Sequence, residues 1–283
     1  MKEKNEKKDK KRLIKKIIYI SIIIILSIIL IFVFQKIYNK LVQKKGFENS
    51  VISFTENNSK TIFSINKVVF FSSSDSKGKS SSITNFTIEN LYTYTDIAIF
   101  INNNSEENNA ENTLKKVKID NIKITKEPTV GQPNLYYKSI NSFSKSEFDE
   151  SNIIEKEIEF ETTSEDSVDL SKPILYNNCA NPITLSYINQ NVKKDYTITD
   201  TENLITYNGK LLERCGVSIS SIESSISFDI YIENNKNQKF KATVYFNIPY
   251  QNEEKSIYDG SLIIKKDTDF NFYRYEWGRE KYE

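Results

Sequence analysis

Hydrophobic residues follow two different patterns along this chain of 283 residues. Residues 17–34 form one unbroken apolar run, in which fifteen of eighteen residues are Ile, Leu, Val or Phe and none is charged. A helix of this length rises about 27 Å, close to the thickness of the hydrocarbon core of a bilayer. The run therefore predicts a transmembrane helix over residues 17–34, with the lipid bilayer as its partner.

From residue 50 onward, apolar and polar residues alternate instead, with the period of two that is typical of β-strands. In the clearest case, residues 225–233 and 240–248 each place an apolar side chain at every second position and flank the turn NNKNQK. This pattern predicts a β-hairpin. Residues 85–104 and 114–125 alternate in the same way around an Asn-rich stretch, and we expect a second hairpin there.

About ten to twelve such segments, without an amphipathic helix among them, predict an all-β domain. We expect residues 50–283 to form an extracytoplasmic β-sandwich, jelly-roll-like or Ig-like. The stretch EPTVGQPNLYY contains two Pro and one Gly and predicts a long connection near residues 127–150, where a boundary between two modules is the alternative. Because no extended linker separates the two hairpins, one sandwich is the favoured arrangement.

Several shorter segments have local expectations of their own. Residues 51–55 predict a first strand, and the polar stretch SSSDSKGKSSS at 72–82 predicts a solvated loop. Short strands are expected at 183–187 and 196–199, on either side of NQNVKKD, and the turn YNGK around Gly209 predicts a further hairpin.

Basic residues near the apolar run indicate its orientation. Residues 1–16 hold nine Lys and Arg and three Asp and Glu, whereas four Lys follow the run within residues 35–49. The positive-inside rule then places a basic tail, residues 1–16, in the cytoplasm. No small-residue cleavage site follows the run, which favours an uncleaved signal anchor over a cleaved signal peptide. We predict a single-pass plasma-membrane protein with a helical stub over residues 35–49, ending near Gly46, and an extracytoplasmic C-terminal domain.

Composition excludes several classes of function. The predicted outer domain, residues 50–283, holds 34 Asp and Glu against 26 Lys and Arg, which argues against nucleic acid as a partner. The chain has no His, so nucleophile pairs and zinc sites that depend on imidazole are excluded. We expect no cofactor.

Four carboxylates form the sharpest candidate for chemistry. Glu155, Glu157, Glu159 and Glu161 occupy alternate positions, which would place them on one face of a strand over residues 153–162. This alternation resembles the carboxylate strand of jelly-roll glycoside hydrolases, in which acids two residues apart supply the nucleophile and the acid/base. The resemblance would make the four Glu a catalytic candidate. A solvated sheet face that Glu keeps soluble is the simpler interpretation.

Other candidate sites depend on fewer residues. Asp267 and Asp269 are candidate calcium ligands, although acidic alternation is common in loops. Cys179 and Cys215 are the two cysteines of the chain and would permit a disulfide in an exported domain, with two unpaired thiols as the alternative.

The C-terminal sequence FNFYRYEWGREKYE is unusually aromatic. It predicts either a last strand that packs on the sandwich or a segment that binds a partner through Tyr273, Tyr275 and Trp277. Taken together, these patterns predict a non-catalytic protein of the cell envelope that binds a surface component, either wall glycan or another envelope protein. The alternative is a membrane-anchored glycoside hydrolase that uses the Glu155–Glu161 strand.

Overall fold

The computed structural model of the chain describes most of the helix and of the β region. The described residues are 2–56, 61–80, 86–104, 113–165, 168–169, 171–176, 182–198, 210–251, 257, 261–265 and 270–274.

The N-terminal part is one long helix, α1, which spans Lys2–Glu56. The part from Ile14 to Asn49 is long and apolar enough to cross a membrane, with a mean hydropathy of 3.3 in its apolar stretch, none of which is buried. The helix continues through Gly46, since a glycine lowers helix propensity by about 1 kcal/mol and does not by itself end a helix. The expected strand at residues 51–55 is therefore wrong, because these residues are the last turns of α1.

The remaining chain is mostly β, and Val51–Tyr275 form one compact unit, separate from Met1–Ser50. Eleven strands, two short α-helices and two 3-10 helices, Ile140–Ser142 and Glu150–Asn152, follow α1 within the part that the structure describes. The strands and α-helices are named in chain order. They are β1 (Phe63–Ser80), β2 (Phe86–Asn103), β3 (Leu114–Lys126), β4 (Gln132–Tyr137), β5 (Ile158–Thr163), β6 (Ile174–Tyr176), β7 (Ile183–Ile198), α2 (Lys210–Arg214), α3 (Ile219–Ile222), β8 (Ser224–Asn234), β9 (Lys239–Ile248), β10 (Ser261–Lys265) and β11 (Tyr273–Arg274).

The strands form two sheets. The first sheet has the order β10-β1-β2-β7-β4, and the second has the order β11-β9-β8-β3-β5-β6. Every neighbouring pair is antiparallel except β5 and β6, which are parallel. Alternate residues of both sheets enter one shared hydrophobic cluster.

Aromatic rings connect the two sheets inside this cluster. Phe63 of β1 meets Phe240 of β9 at 5.2 Å between ring centroids, and Phe70 of β1 meets Phe246 of β9 at the same distance, both edge to face. Edge-to-face pairs at this separation contribute about 0.5–1.5 kcal/mol beyond the area they bury. The core therefore lies between the inward faces of the two sheets.

The hairpin predicted for residues 225–248 is confirmed, with Ile226 opposite Phe246 and Ile232 opposite Phe240. The second expected hairpin is wrong. β2 pairs with β1 and β7, whereas β3 pairs with β5 and β8, so the chain crosses from one sheet to the other between them. Alternation specifies which face of a strand is apolar, but it does not specify the neighbouring strand.

The polar stretch expected as a loop at 72–82 is also wrong over its described part. β1 continues to Ser80, and Ser72, Ser73 and Ser74 are buried. The hydroxyl groups of Ser72 and Thr95 lie 2.9 Å apart and satisfy one another across β1 and β2. Neighbouring polar groups therefore make a polar strand tolerable in the interior.

Two further differences concern strand number and length. The expected connection near 127–150 contains the edge strand β4, and residues 183–198 form one strand, β7, instead of two. Asn191 and Asp195 within β7 have positive φ values of 60° and 49°, a conformation that Asn and Asp adopt more readily than most residues. The turn expected around Gly209 lies outside the described residues.

Candidate functional site on the outer face of the second sheet

The second sheet presents a mixed polar and aromatic outer face. β8 and β9 bury their alternate apolar residues between the sheets, so the residues between these positions point outward. Residues opposite one another on paired strands point to the same face. The register therefore forms one row across five strands, in the order Tyr273, Lys241, Tyr231, Lys118 and Glu159.

Two exposed tyrosines lie on this face. The exposed fraction is 48% for Tyr245 and 37% for Tyr273. Tyr245 lies four residues from Lys241 along β9, and Lys241 is opposite Tyr273, so the two tyrosines are separated by about 13 Å along the strand direction. The arrangement is an open surface with aromatic groups at two separate points.

Asp229 is the buried charge of this face, with an exposed fraction of 2%. Its carboxylate accepts hydrogen bonds from Thr243 at 2.6 Å and from Asn121 at 2.9 Å, and it pairs with Lys241 at 2.8 Å. Burial alone would raise the pKa of Asp229, but these donors outweigh burial and hold the pKa below its ordinary value. Asp229 is thus ionised at neutral pH and fixes the position of Lys241.

Lys118 occupies the other side of Tyr231. Its ammonium group contacts Asp120 and Glu157, each at 3.0 Å, and these partners raise the pKa of Lys118 although burial acts against them. The ammonium groups of Lys118 and Lys241 lie 5.5 Å and 5.3 Å from the ring centroid of Tyr231. Such cation–π contacts hold the ring between two cations.

The four predicted carboxylates are separated by the local structure. β5 begins at Ile158, so Glu155 and Glu157 precede the strand, and the expectation of one four-residue row is wrong. Glu159 and Glu161 do lie on the outer face, where Glu159 pairs with Lys116 at 2.5 Å. Among the described residues, no group of three or more His, Cys, Asp or Glu is placed to hold a metal ion.

The other predicted site residues have different outcomes. Tyr273 is on the outer face of the second sheet, whereas Tyr275, Trp277, Asp267 and Asp269 lie outside the described residues. The disulfide also stays a prediction, because Cys179 lies outside the described residues. Cys215 forms no disulfide with any described residue. It directly follows α2 and is buried in a hydrophobic cluster, and burial raises the pKa of its thiol to about 11.

Several residues of this face were not singled out from sequence. The alternation in residues 225–233 and 240–248 already assigns Tyr231, Asp229 and Tyr245 to the polar side of their hairpin. The partners from β3, β5 and β11 depend on the strand order, which local alternation does not contain. No family model, no curated protein and no solved structure matches this chain.

Proposed function

We propose that this chain is a single-pass protein of the plasma membrane whose β region, a jelly-roll-like or Ig-like sandwich, lies outside the cytoplasm and binds wall glycan without catalysis. The binding surface in this proposal is the outer face of the second sheet.

The unburied apolar helix supports the membrane location. The large apolar residues between Ile17 and Phe34 have exposed fractions of 47–67%. The fifteen Ile, Leu, Val and Phe residues of this run favour transfer into a bilayer by about 5–8 kcal/mol in total. The excess of basic residues before the run supports a cytoplasmic N-terminus.

The exposed tyrosines on a polar face are the observation that supports glycan binding. Tyr presents an apolar ring with a polar end, which suits a ligand that offers both C–H and hydroxyl groups. Tyr245 and Tyr273 are separated by about 13 Å, so an extended polysaccharide is a better match than a single sugar. Paired charges between them supply donors and acceptors of hydrogen bonds.

The ion pairs support a role without catalysis. Lysine ammonium groups already pair with Glu157 and Glu159, and β5 begins after Glu157. A glycosidase needs two carboxyl groups facing one bond, with one of them protonated. The glycosidase alternative stays a prediction, which Glu159→Gln and Glu161→Gln test: loss of hydrolysis in a folded protein would support it.

The proposal is tested by sedimentation of the full chain, in detergent micelles, with isolated cell-wall fragments across a salt series. Tyr245→Ala and Tyr273→Ala are expected to weaken binding, while Tyr196→Ala, a half-buried tyrosine of β7 in the first sheet, is the matched control. Recovery of one specific envelope protein, with no sedimentation in the wall fraction, would replace glycan by protein as the partner. Protease accessibility of the β region in intact cells tests the orientation.

A further inference from the structure

A buried ion pair lies on the outer side of the first sheet. The ammonium nitrogen of Lys138 is 2.9 Å from each carboxylate oxygen of Asp96, and the exposed fractions of the two side chains are 4% and 0%. Asp96 belongs to β2, and Lys138 directly follows β4. β7 lies between these two strands, so the pair joins strands that are not neighbours.

Fixed donors surround the carboxylate of Asp96. The hydroxyl of Ser186, directly opposite on β7, donates to Oδ1 at 2.6 Å. The backbone N–H of Ser144 donates to Oδ2 at 2.7 Å, and Ser144 adopts a left-handed conformation with a φ of 64°. Each carboxylate oxygen therefore has a donor in addition to Lys138.

The chain that follows β4 closes this site. Lys138 also donates to the backbone carbonyl of Lys145, and the hydroxyl of Tyr92 donates to the carbonyl of Ser146 at 3.2 Å. The ring of Tyr94 lies 4.9 Å from the ammonium nitrogen. The pair is thus enclosed by buried tyrosines and by the segment after β4.

The nitrogen of Lys138 is also close to the carboxyl carbon of Asp96. A nitrogen that is 2.9 Å from both oxygens lies no more than about 3.3 Å from the carbon between them. Because it hydrogen-bonds to both oxygens, it lies near the carboxyl plane, and the side chain of Lys138 must turn out of this plane before the nitrogen can attack the carbon. Burial raises the pKa of Asp96 against the opposing effect of Lys138, and burial lowers the pKa of Lys138. Both shifts reduce the free-energy cost of moving the proton from the ammonium to the carboxylate, the step that gives a neutral amine beside a neutral carboxyl group.

We propose that Lys138 and Asp96 condense into an intramolecular amide. The Nζ lone pair forms a bond to Cγ of Asp96, and the electron pair of the C=O bond moves onto Oδ2. The N–H of Ser144 donates to Oδ2 and stabilises the oxyanion of the tetrahedral intermediate, whereas the O–H of Ser186 donates to Oδ1, the oxygen that leaves. The carboxyl oxygen that received the ammonium proton takes a second proton from nitrogen and leaves as water. One ammonium and one carboxylate are thus converted into one amide and one water, without a further reactant.

The bond would fasten an edge strand of the first sheet. β4 is the edge strand of the first sheet, with β7 as its neighbouring strand and a single bridge to Ile153 on the other side, and Lys138 directly follows it. An amide to Asp96 spans β7 and closes a covalent loop between positions 42 residues apart. β4 and the segment that follows it would then stay in place even when the surrounding hydrogen bonds open.

The test is peptide mass spectrometry of the full chain, purified in detergent and digested under denaturing conditions. The expected result is a branched peptide that joins the Asp96 segment to the Lys138 segment, with a mass one water below the sum of the two peptides. Lys138→Arg should lack the branched peptide, because a guanidinium is not nucleophilic at neutral pH. Lys241→Arg is the matched control. Lys241 also pairs with an aspartate, Asp229, at 2.8 Å, but it is 34% exposed and is not part of the proposed bond, so this variant should retain the branched peptide.

Two results would overturn the proposal. The first is recovery of both wild-type segments as separate peptides of full mass after prolonged incubation of the folded protein. The second is a loss of water that persists in Lys138→Arg or that maps to other residues. If Lys138→Arg does not fold, the wild-type peptides decide the question alone.

Discussion

Replacement of Lys138 by Met tests how much the buried pair of Lys138 and Asp96 contributes to the unfolding free energy. Met keeps most of the apolar stem of Lys and removes the ammonium, so Asp96 is left fully buried beside Ser186 and Ser144 without its cation. Breaking a buried pair from one side costs about 3–5 kcal/mol of unfolding free energy.

Protonation of Asp96 limits this cost. In the folded variant Asp96 can become neutral by binding a proton. An unfolded Asp has a pKa of about 3.9, so protonating it at pH 7 costs about 4 kcal/mol, and this value is the upper limit of the destabilisation. We therefore expect Lys138→Met to lose about 3–4 kcal/mol at pH 7. In this variant the folded state binds one proton more than the unfolded state, so lowering the pH stabilises it. The loss should shrink by about 1.4 kcal/mol for each pH unit between pH 7 and pH 5.

The assay is urea unfolding in detergent micelles, followed by circular dichroism, at several pH values. If the proposed amide forms, it stabilises the wild type by about 4 kcal/mol more, on the chain-entropy estimate for positions 42 residues apart. The pH slope of the variant, rather than its absolute stability, is therefore the decisive quantity. A stability of Lys138→Met that does not change between pH 7 and pH 5 would refute the reasoning. Lys77→Met is the control, because Lys77 and Glu150 are 56% and 65% exposed and their pair contributes at most about 1 kcal/mol.

Three further changes test other parts of the structure by the same unfolding assay. Asp229→Asn should cost about 1–3 kcal/mol at pH 7. Because the folded pKa of Asp229 is lowered, the stabilisation is complete above the ordinary Asp pKa of about 4 and is lost as the pH falls below it, so the cost of the substitution should vanish in acid. Phe70→Ala should cost about 3–5 kcal/mol, since Phe70 is fully buried between the sheets, and a loss below 1 kcal/mol would contradict the assigned core. Gly78→Ala should lower the unfolding free energy by about 1–3 kcal/mol, because the new methyl group would lie 2.5 Å from the backbone oxygen of Thr87. An unchanged urea midpoint would contradict the pairing of β1 with β2.

The faces of individual strands could be predicted from the sequence because alternation is a local property. Ile97, Ile99 and Ile101 enter the core as their spacing predicts, and so do the apolar residues of β8 and β9. The hairpin of β8 and β9 was predictable for the same reason, because a short polar turn favours pairing between the two strands that it connects.

Strand order could not be predicted in this way. β2 and β3 have the alternation of a hairpin, yet they lie in different sheets, because either strand can bury its apolar face against any suitable partner. The candidate face shows the consequence. Tyr273 and Glu159 were each singled out by their own sequence neighbourhood, but their common row depends on pairings between β11, β9, β8, β3 and β5.

Polar strands are mistaken for loops for a related reason. A solvated loop was expected for residues 72–82, yet Ser72 and Ser73 are fully buried. The burial of Ser72 is acceptable because Thr95 on the neighbouring strand supplies a polar group. This partner is more than 20 residues away in sequence, so local polarity alone does not distinguish such a strand from a loop.

The outer faces of the two sheets differ in a way that bears on function. Across β2 and β7, the polar groups of the first sheet, such as Asp96 and Ser186, are enclosed and bonded within the protein. On the second sheet, by contrast, Tyr245 and Tyr273 are exposed beside paired charges. A ligand could reach the polar groups of the first sheet only by displacing the chain that closes over them. Tyr245 and Tyr273 on the second sheet are reachable without that cost, and their substitution should therefore alter binding while leaving stability within about 0.5 kcal/mol.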